Sequence, residues 1–143
     1  MTAYLVCAHE TLMSPELMAA LRRHVDAESA SFHVVVPMSH HVGMSGWSEG
    51  EIRAHARHDL DLALELYRAS GFEVSGAVGD VHPVDAVLTA LVTHPTGAFD
   101  GIIVSTLPNV VSRWLRLDAV TRLRRETELP VEHVVGSRVP AST

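Results

Sequence analysis

The sequence predicts an α/β fold, a three-layer sandwich in which a five-stranded parallel sheet lies between helices. Three observations support this prediction: five short apolar segments, four amphipathic helical segments between them, and the regular alternation of the two along 143 residues. Right-handed helical crossovers between parallel strands leave few topologies, and a doubly wound sheet is the natural one.

The predicted strands are apolar runs of four to seven residues. The first run, residues 3–8, is almost continuously apolar, as expected for a strand buried on both faces. The others cover residues 32–36, 72–78, 102–105 and 131–135. Residues 72–78 alternate and are more polar, which predicts an edge strand, whereas residues 102–105 have the pattern of a central strand.

The predicted helices show start signals and apolar stripes. Ser14 and Pro15 suit the N-cap and the first helical position, Ser48 and Glu51 have the spacing of a capping box, and Gly71 is a stop signal. The stripes that we expect to be buried are Leu17, Met18, Leu21 and Val25; Ile52, Ala56, Leu60, Ala63, Leu64 and Tyr67; Val84, Val87, Leu88, Leu91 and Val92; and Trp114, Leu115, Val120 and Leu123.

Composition narrows the class of protein and its partners. A hydrophobic fraction of 47% can form a core, and we expect one domain over residues 1–143. A net charge of −6 argues against nucleic acid and anionic membranes as partners. The longest apolar runs fall short of the ~18 residues that span a membrane. Since the N-terminus also lacks the features of a signal peptide, we expect a cytoplasmic protein.

The end of the first strand and the end of the fourth are the places to look for a ligand. Doubly wound sheets bind ligands beyond the carboxyl ends of their strands, where the strand order reverses. If the order is 3-2-1-4-5, this crevice lies between the first and fourth strands. Ala8 and His9 would then lie on one side of it, and Ser105 and Thr106 on the other.

Five segments, residues 4–8, 69–74, 79–83, 100–106 and 129–135, follow one another in an order and rhythm met in a known family. Through them the chain resembles the universal stress protein family over nearly its whole length. The resemblance implies the adenine nucleotide α-hydrolase-like fold, the strand order 3-2-1-4-5 and a role in stress response. It also implies a homodimer formed through the last strand.

The ATP-binding pattern of that family is missing here. Its ATP-binding members carry an acidic residue after the first strand, and Gly-x-x-Gly-x(9)-Gly followed by Ser or Thr after the fourth. Here Glu10 stands near the first location, and the glycine positions fall on Ser105, Pro108 and Asp118. Glycine lets the backbone approach a phosphate, whereas Pro108 has no N–H and Asp118 would repel the phosphate. Any ATP or AMP would therefore be held in an unusual way.

A different set of residues offers a replacement for the glycine loop. A serine at a helix start and an arginine beside it suit a phosphate or carboxylate. We expect the base side of the site to be formed by Ala8, His9 and Pro37, and the phosphate side by Ser105, Thr106, Ser112 and Arg113. The alternative is that Arg113 is a solvated surface charge and that His9 is a loop histidine bonded to nearby backbone.

The remaining candidate functional residues are expected to have structural roles more than chemical ones. His40, His41, His55 and His58 could supply metal ligands, but without a metal-site signature we expect exposed histidines and no metal. Cys7 lies inside the first strand and is expected to be a buried hydrophobe, not a nucleophile. Residues 38–47 form either a lid over the crevice or a surface that packs on the second helix or a neighbouring subunit.

The function predicted from the sequence is that of a universal-stress-protein-like, non-catalytic binding or regulatory protein. Its ligand would be a nucleotide such as ATP or AMP, or another anionic small molecule. The alternative is a ligand-free dimeric interaction module of the same fold that does not bind ATP, which the missing glycines favour. An enzyme with His9 as general base has only its fold position in support, since no nucleophile elbow, P-loop or dinucleotide motif occurs.

Overall fold

The computed structural model describes residues 1–38, 46–108 and 119–137. Its strands are β1 Thr2–Cys7, β2 Ala30–Pro37, β3 Glu73–Gly79, β4 Gly101–Thr106 and β5 Val131–Val135. Its helices are α1 Pro15–Ala27, α2 Glu49–Ala69, α3 Pro83–Thr93 and α4, which is described over 119–126. The five strands form one parallel sheet of order β3-β2-β1-β4-β5. The predicted fold class and strand order are therefore confirmed.

Helices cover both faces of this sheet. On the face that we call the α1–α2 side, the core contains Val6, Leu21, Val34, Leu60 and Ile103. On the opposite face, the α3–α4 side, it contains Leu5, Val35, Val87, Ile102 and Leu123. Each inner strand thus contributes alternate residues to two separate cores, because successive side chains of a strand point to opposite faces.

The helix starts and stops follow the predicted signals. Ser14 accepts a hydrogen bond from the backbone N–H of Leu17 at 3.2 Å, and Ser48 and Glu51 bond reciprocally at 3.1 Å as a capping box. Gly71 follows α2 with φ of +91°, which glycine adopts without a steric cost. All six predicted stripe residues of α2 are buried. Within the described residues, no helix combines the length and the apolar character that crossing a membrane requires.

One stripe residue of α3 was predicted wrongly. Val92 is 81% exposed, while Ala86 and Ala90 are buried against the sheet instead. A methyl group added at Gly79 would lie 2.8 Å from the Cβ of Ala86, so helix and sheet approach each other very closely here. The small side chains of α3 therefore decide which face of this largely apolar helix packs on the sheet.

Each open edge of the sheet carries an arginine bonded to a strand carbonyl. Arg68 of α2 donates to the carbonyl of Val74 on β3 at 3.1 Å, and Arg124 of α4 donates to that of Val131 on β5 at 3.0 Å. The strand registers place both carbonyls on the side that points away from the sheet. These guanidinium groups satisfy acceptors that an unpaired edge would otherwise expose.

The close contact of α2 with β3 gives a testable consequence. A Cβ at Gly76 would lie 2.8 Å from the carbonyl oxygen of Val34 and 2.9 Å from a methyl group of Leu60. We expect Gly76→Ala to lower the free energy of unfolding by about 1–3 kcal/mol, because the overpacked site must shift. Urea unfolding followed by circular dichroism measures this loss.

Gly50→Ala is the matched control for this substitution. Gly50 lies in the exposed first turn of α2, and its added Cβ would meet only Ser48 Oγ at 3.9 Å. This variant should be unchanged or more stable by up to about 1 kcal/mol, since alanine favours helix. If the two alanine variants were equally stable, the close packing at Gly76 would be disproved.

Candidate functional site

The carboxyl ends of β1 and β4 lie side by side at the point where the strand order reverses. β3 and β2 extend from β1 in one direction, and β4 and β5 extend in the other. Cys7 pairs with Val104, and His9 and Thr106 are each the second residue after that pair. This is the place at which doubly wound sheets hold their ligands.

Buried hydroxyl groups fill the α1–α2 side of this edge. The side-chain oxygens of Ser105 and Thr11 lie 2.6 Å apart, and both residues are buried. Ser14, which caps α1, is fully buried beside them, and Ala8 belongs to the same core. The hydroxyl of Ser105 is therefore already bonded inside the protein, with either oxygen as the donor.

A glycine after β5 completes the closure of this side. The N–H of Gly136 donates to the carbonyl of Thr106 at 2.8 Å. A Cβ at Gly136 would lie 2.5 Å from Ser14 Oγ and 3.3 Å from Thr11 Cβ. Only glycine fits without a shift, so the end of β5 seats directly on the start of α1. Gly136 was not predicted from the sequence, although a glycine immediately after the last strand was a signal that could have indicated this close contact.

The α3–α4 side of the same edge carries a different polar pair. Thr106, the last residue of β4, is partly exposed, and its hydroxyl lies 2.7 Å from Nε2 of His133 on β5. The neighbouring hydroxyls of Ser105 and Thr106 thus point to opposite faces of the sheet. Sequence reasoning found Thr106 but missed His133, because a histidine inside an apolar strand looks like an ordinary strand residue.

The residues predicted for the base side do not share one surface. Ala8 is buried in the core of the α1–α2 side. Pro37, also buried, alternates with Val36 of that same core, so its ring points to the α3–α4 side. Strand β1 separates Pro37 from β4, which puts two strand spacings, about 10 Å, between them. His9 follows β1 directly and is partly exposed.

Several predicted residues fall outside the described part of the chain. They are Ser112, Arg113, Trp114, Leu115, His40 and His41. Residues 39–45 of the segment predicted as a lid are also outside it. At the ends of that segment, Met38 is buried against Ile52, and Trp47 is 39% exposed with its ring edge-to-face against His55.

The remaining candidates among the described residues are His55, His58 and Cys7. His55 bonds Asp59 one turn along α2 at 3.2 Å, while His58 is exposed. Among residues 1–38, 46–108 and 119–137, no three side chains of the types that bind metals come close enough together to hold an ion. Cys7 is buried as predicted, and this burial raises the pKa of its thiol to about 12.

A broad cavity of about 600 Å³ lies at the carboxyl end of β3, away from β4. Two carboxylates line it: Asp80 accepts a hydrogen bond from Thr89 at 3.0 Å, and Asp85 lies 4.0 Å from Arg122. The negative charge of this cavity makes it a poor place for an anionic ligand.

A smaller cavity of about 280 Å³ lies in the amino-terminal half of the sheet on the α3–α4 side. His33 lines it, bonds Ser75 at 2.8 Å, and packs edge-to-face on His94 with ring centroids 4.8 Å apart. Desolvation and the neighbouring His94 lower the pKa of His33. These rings pack on Phe99 as part of the core margin, far from the strand ends that hold ligands in this fold.

Comparison with known proteins adds no relative to this picture. The sequence matches no protein-family model, and no curated protein matches it at a significant level. The resemblance to universal stress proteins therefore stays a prediction, and the geometry of the strand ends carries the functional argument.

The buried pair of Ser105 and Thr11 yields a prediction about stability. We expect Ser105→Ala to lower the free energy of unfolding by about 1–3 kcal/mol, because it leaves the buried hydroxyl of Thr11 without its partner. Adding Thr11→Val removes the orphaned hydroxyl, so the double variant should lose less than the sum of the two single losses. Urea unfolding of the four proteins measures this coupling. Strictly additive losses would show that the two hydroxyls do not depend on each other.

Proposed function

We propose that this chain is a universal-stress-protein-like, non-catalytic binding or regulatory protein that takes an anionic small ligand at the reversal point between β1 and β4. The observation that supports this most directly is the partly exposed hydroxyl of Thr106 at the carboxyl end of β4. Strand ends at a topological switch point are the usual place for ligands in open parallel sheets.

We assign the ligand to the α3–α4 side of the edge. The other side is occupied by buried side chains, Ser105 and Thr11 among them, so Ser105 would act by holding the loop after β1. Among the predicted site residues that the structure describes, Thr106 and His9 keep exposed surface. Ser112 and Arg113 follow β4 in the chain, and in this proposal they supply a further hydroxyl and a guanidinium.

The chemistry of this set suits one phosphate or carboxylate group. A hydroxyl and a guanidinium can surround a single anion, whereas a triphosphate needs the row of backbone N–H groups that a glycine loop provides. We therefore propose AMP or a cyclic nucleotide as the ligand, in preference to ATP. The acidic cavity at the end of β3 would disfavour further phosphates on that side.

Calorimetry with AMP tests the proposed site. Thr106→Val removes one donor to the anion without changing the shape of the side chain. The variant should bind about tenfold more weakly, since a hydrogen bond to a charged group contributes about 1.5–3 kcal/mol. Arg113→Ala should weaken binding by at least as much.

Thr93→Val is the matched control for this experiment. Thr93 ends α3, and its hydroxyl bonds carbonyls of its own helix at 2.9 and 3.2 Å. This variant should bind AMP like the unmodified protein. If Thr106→Val and Arg113→Ala left tight AMP binding intact, the ligand would lie elsewhere.

A ligand-free interaction module is the second candidate function. The closed α1–α2 side of the edge and the absent glycine loop favour it. Failure of AMP, cyclic AMP and ATP to bind, together with no small molecule in mass spectra of the natively purified protein, would select this candidate.

Both candidate functions include a homodimer through β5. Backbone groups alternate along a parallel strand, and Gly136 donates toward β4, so outward-pointing groups belong to Val131, His133 and Val135. Arg124 already occupies the carbonyl of Val131. We therefore propose that a second copy pairs with the carboxyl-terminal half of β5, where the side chain of Val135 is 41% exposed.

Val135→Pro tests this dimer because it removes an outward N–H and leaves the bonds to β4 in place. We expect the dimer to dissociate about tenfold more readily, in keeping with the loss of one or two hydrogen bonds. Val135→Thr keeps the N–H and should remain a dimer. Light scattering after size-exclusion chromatography gives the mass of each. A dimer of unchanged strength in the proline variant would place the interface on another surface.

A further inference from the structure

The hydrogen bond between Thr106 and His133 has a consequence for the proposed ligand site. Oγ1 of Thr106 lies 2.7 Å from Nε2 of His133, and both side chains are partly exposed on the α3–α4 side. At this distance the two atoms share one hydrogen, supplied either by the hydroxyl or by the imidazole. The hydroxyl supplies it when the neutral imidazole carries its hydrogen on Nδ1, and the imidazole supplies it when Nε2 carries a hydrogen, which protonation of His133 makes obligatory.

The two arrangements present different groups to a ligand. When Nε2 carries no hydrogen, the hydroxyl of Thr106 must donate to it and offers a ligand only lone pairs, which repel an anion. When His133 is protonated, Nε2–H donates to Thr106, and the hydroxyl hydrogen of Thr106 can point to an anion. The imidazolium also adds a positive charge beside the strand end.

We propose that His133 is a positioning residue that switches Thr106 from acceptor to donor, so that the site binds anions more tightly as pH falls. This inference depends on the proposed function, since it concerns the same ligand. It identifies protonation as the event that regulates the site, and His133 as the residue that senses it. Histidine suits this task because its ordinary pKa of about 6.5 lies near physiological pH.

Other charged and titratable groups surround this pair. Arg124 of α4 bonds the carbonyl of Val131, two residues before His133. On the opposite face of β5, Glu132 bonds His24 at 2.6 Å and Arg23 at 3.2 Å, both from α1.

Two further titratable groups follow β1 at the same edge of the sheet. They are His9 and Glu10, which lie next to the end of β4. Because His9 and His24 also carry imidazole groups, the experiment must separate their contributions from that of His133.

Cyclic AMP is the probe, because its phosphodiester carries one charge over the whole range and so adds no titration of its own. We expect its affinity for the unmodified protein, measured by calorimetry, to rise about five- to tenfold from about pH 8 to about pH 5.5. In His133→Gln the side-chain amide can still donate to Thr106 but does not titrate, so the affinity should vary less than twofold. His24→Gln, a histidine replaced on the other face of the same strand, should keep the full pH dependence.

A second measurement is made on the unmodified protein, and His133→Gln serves only to assign the signal. Proton NMR follows the C–H signals of the imidazole rings, and the signal lost in His133→Gln identifies His133. By linkage, an anion that prefers protonated His133 must raise the pKa of His133 when it binds. We expect saturating cyclic AMP to raise this pKa by the logarithm of the affinity ratio measured by calorimetry.

The outcomes separate this inference from the proposed function. Binding of cyclic AMP that does not vary with pH, or a pH dependence that survives in His133→Gln, would overturn the role of His133 and leave the ligand site in place. A pKa of His133 that does not move on binding would do the same. Absence of binding at every pH would overturn the proposed site, and the switch with it.

Discussion

A parallel sheet that is buried on both faces sends successive side chains of each strand into different cores. In β4 this alternation continues to the last residue, where Ser105 turns to the α1–α2 side and Thr106 to the α3–α4 side. Each hydroxyl then meets a partner brought there by another strand end, Thr11 after β1 in one case and His133 of β5 in the other. The edge of the sheet formed by these strand ends therefore has two separate sides.

The two sides of this edge differ in how deeply their polar groups are buried. On the α1–α2 side the hydroxyls of Ser105 and Thr11 are buried, and a buried hydroxyl is costly unless it is bonded. Their mutual bond satisfies both residues and fixes the loop after β1. On the α3–α4 side Thr106 and His133 keep contact with solvent, so their bond can rearrange at little cost. The first pair is suited to structure and the second to recognition.

At the two edges of the sheet, arginine side chains bond backbone carbonyls that have no neighbouring strand. Arg68 and Arg124 extend from the helices on opposite faces and bond one outward carbonyl on each edge strand. These bonds lie at the amino-terminal ends of β3 and β5, where Val74 and Val131 are also buried as side chains. The carboxyl-terminal half of β5 has no such arginine among the described residues, which leaves it as the segment that a second copy could pair with.

Local signals made most of the fold predictable from the sequence, and non-local contacts explain what could not be predicted. The capping residues Ser14 and Ser48 and the stripe of α2 act over a few neighbouring positions, so a single sequence reveals them. Val92 was misassigned because most residues of α3 are apolar, and the close approach of Ala86 to Gly79 that orients the helix is not a local contact. The roles of His133 and Gly136 depend on contacts with residues more than twenty positions away in the chain. No periodicity in the sequence predicts such contacts.

The absence of a glycine loop and the burial of the side chains on the α1–α2 side of the edge are related features of the proposed site. A glycine loop holds phosphate with backbone N–H groups, whose donor character does not change with pH. In this chain, the groups proposed for the ligand are side chains, and one of them, Thr106, is bonded to a histidine. A site of that kind has too few hydrogen-bond donors to bind several phosphates. Its affinity for an anion depends on protonation of the histidine. In a chain of net charge −6, such local donors must also overcome the field of the whole protein, which favours a ligand with one phosphate group over a ligand with three.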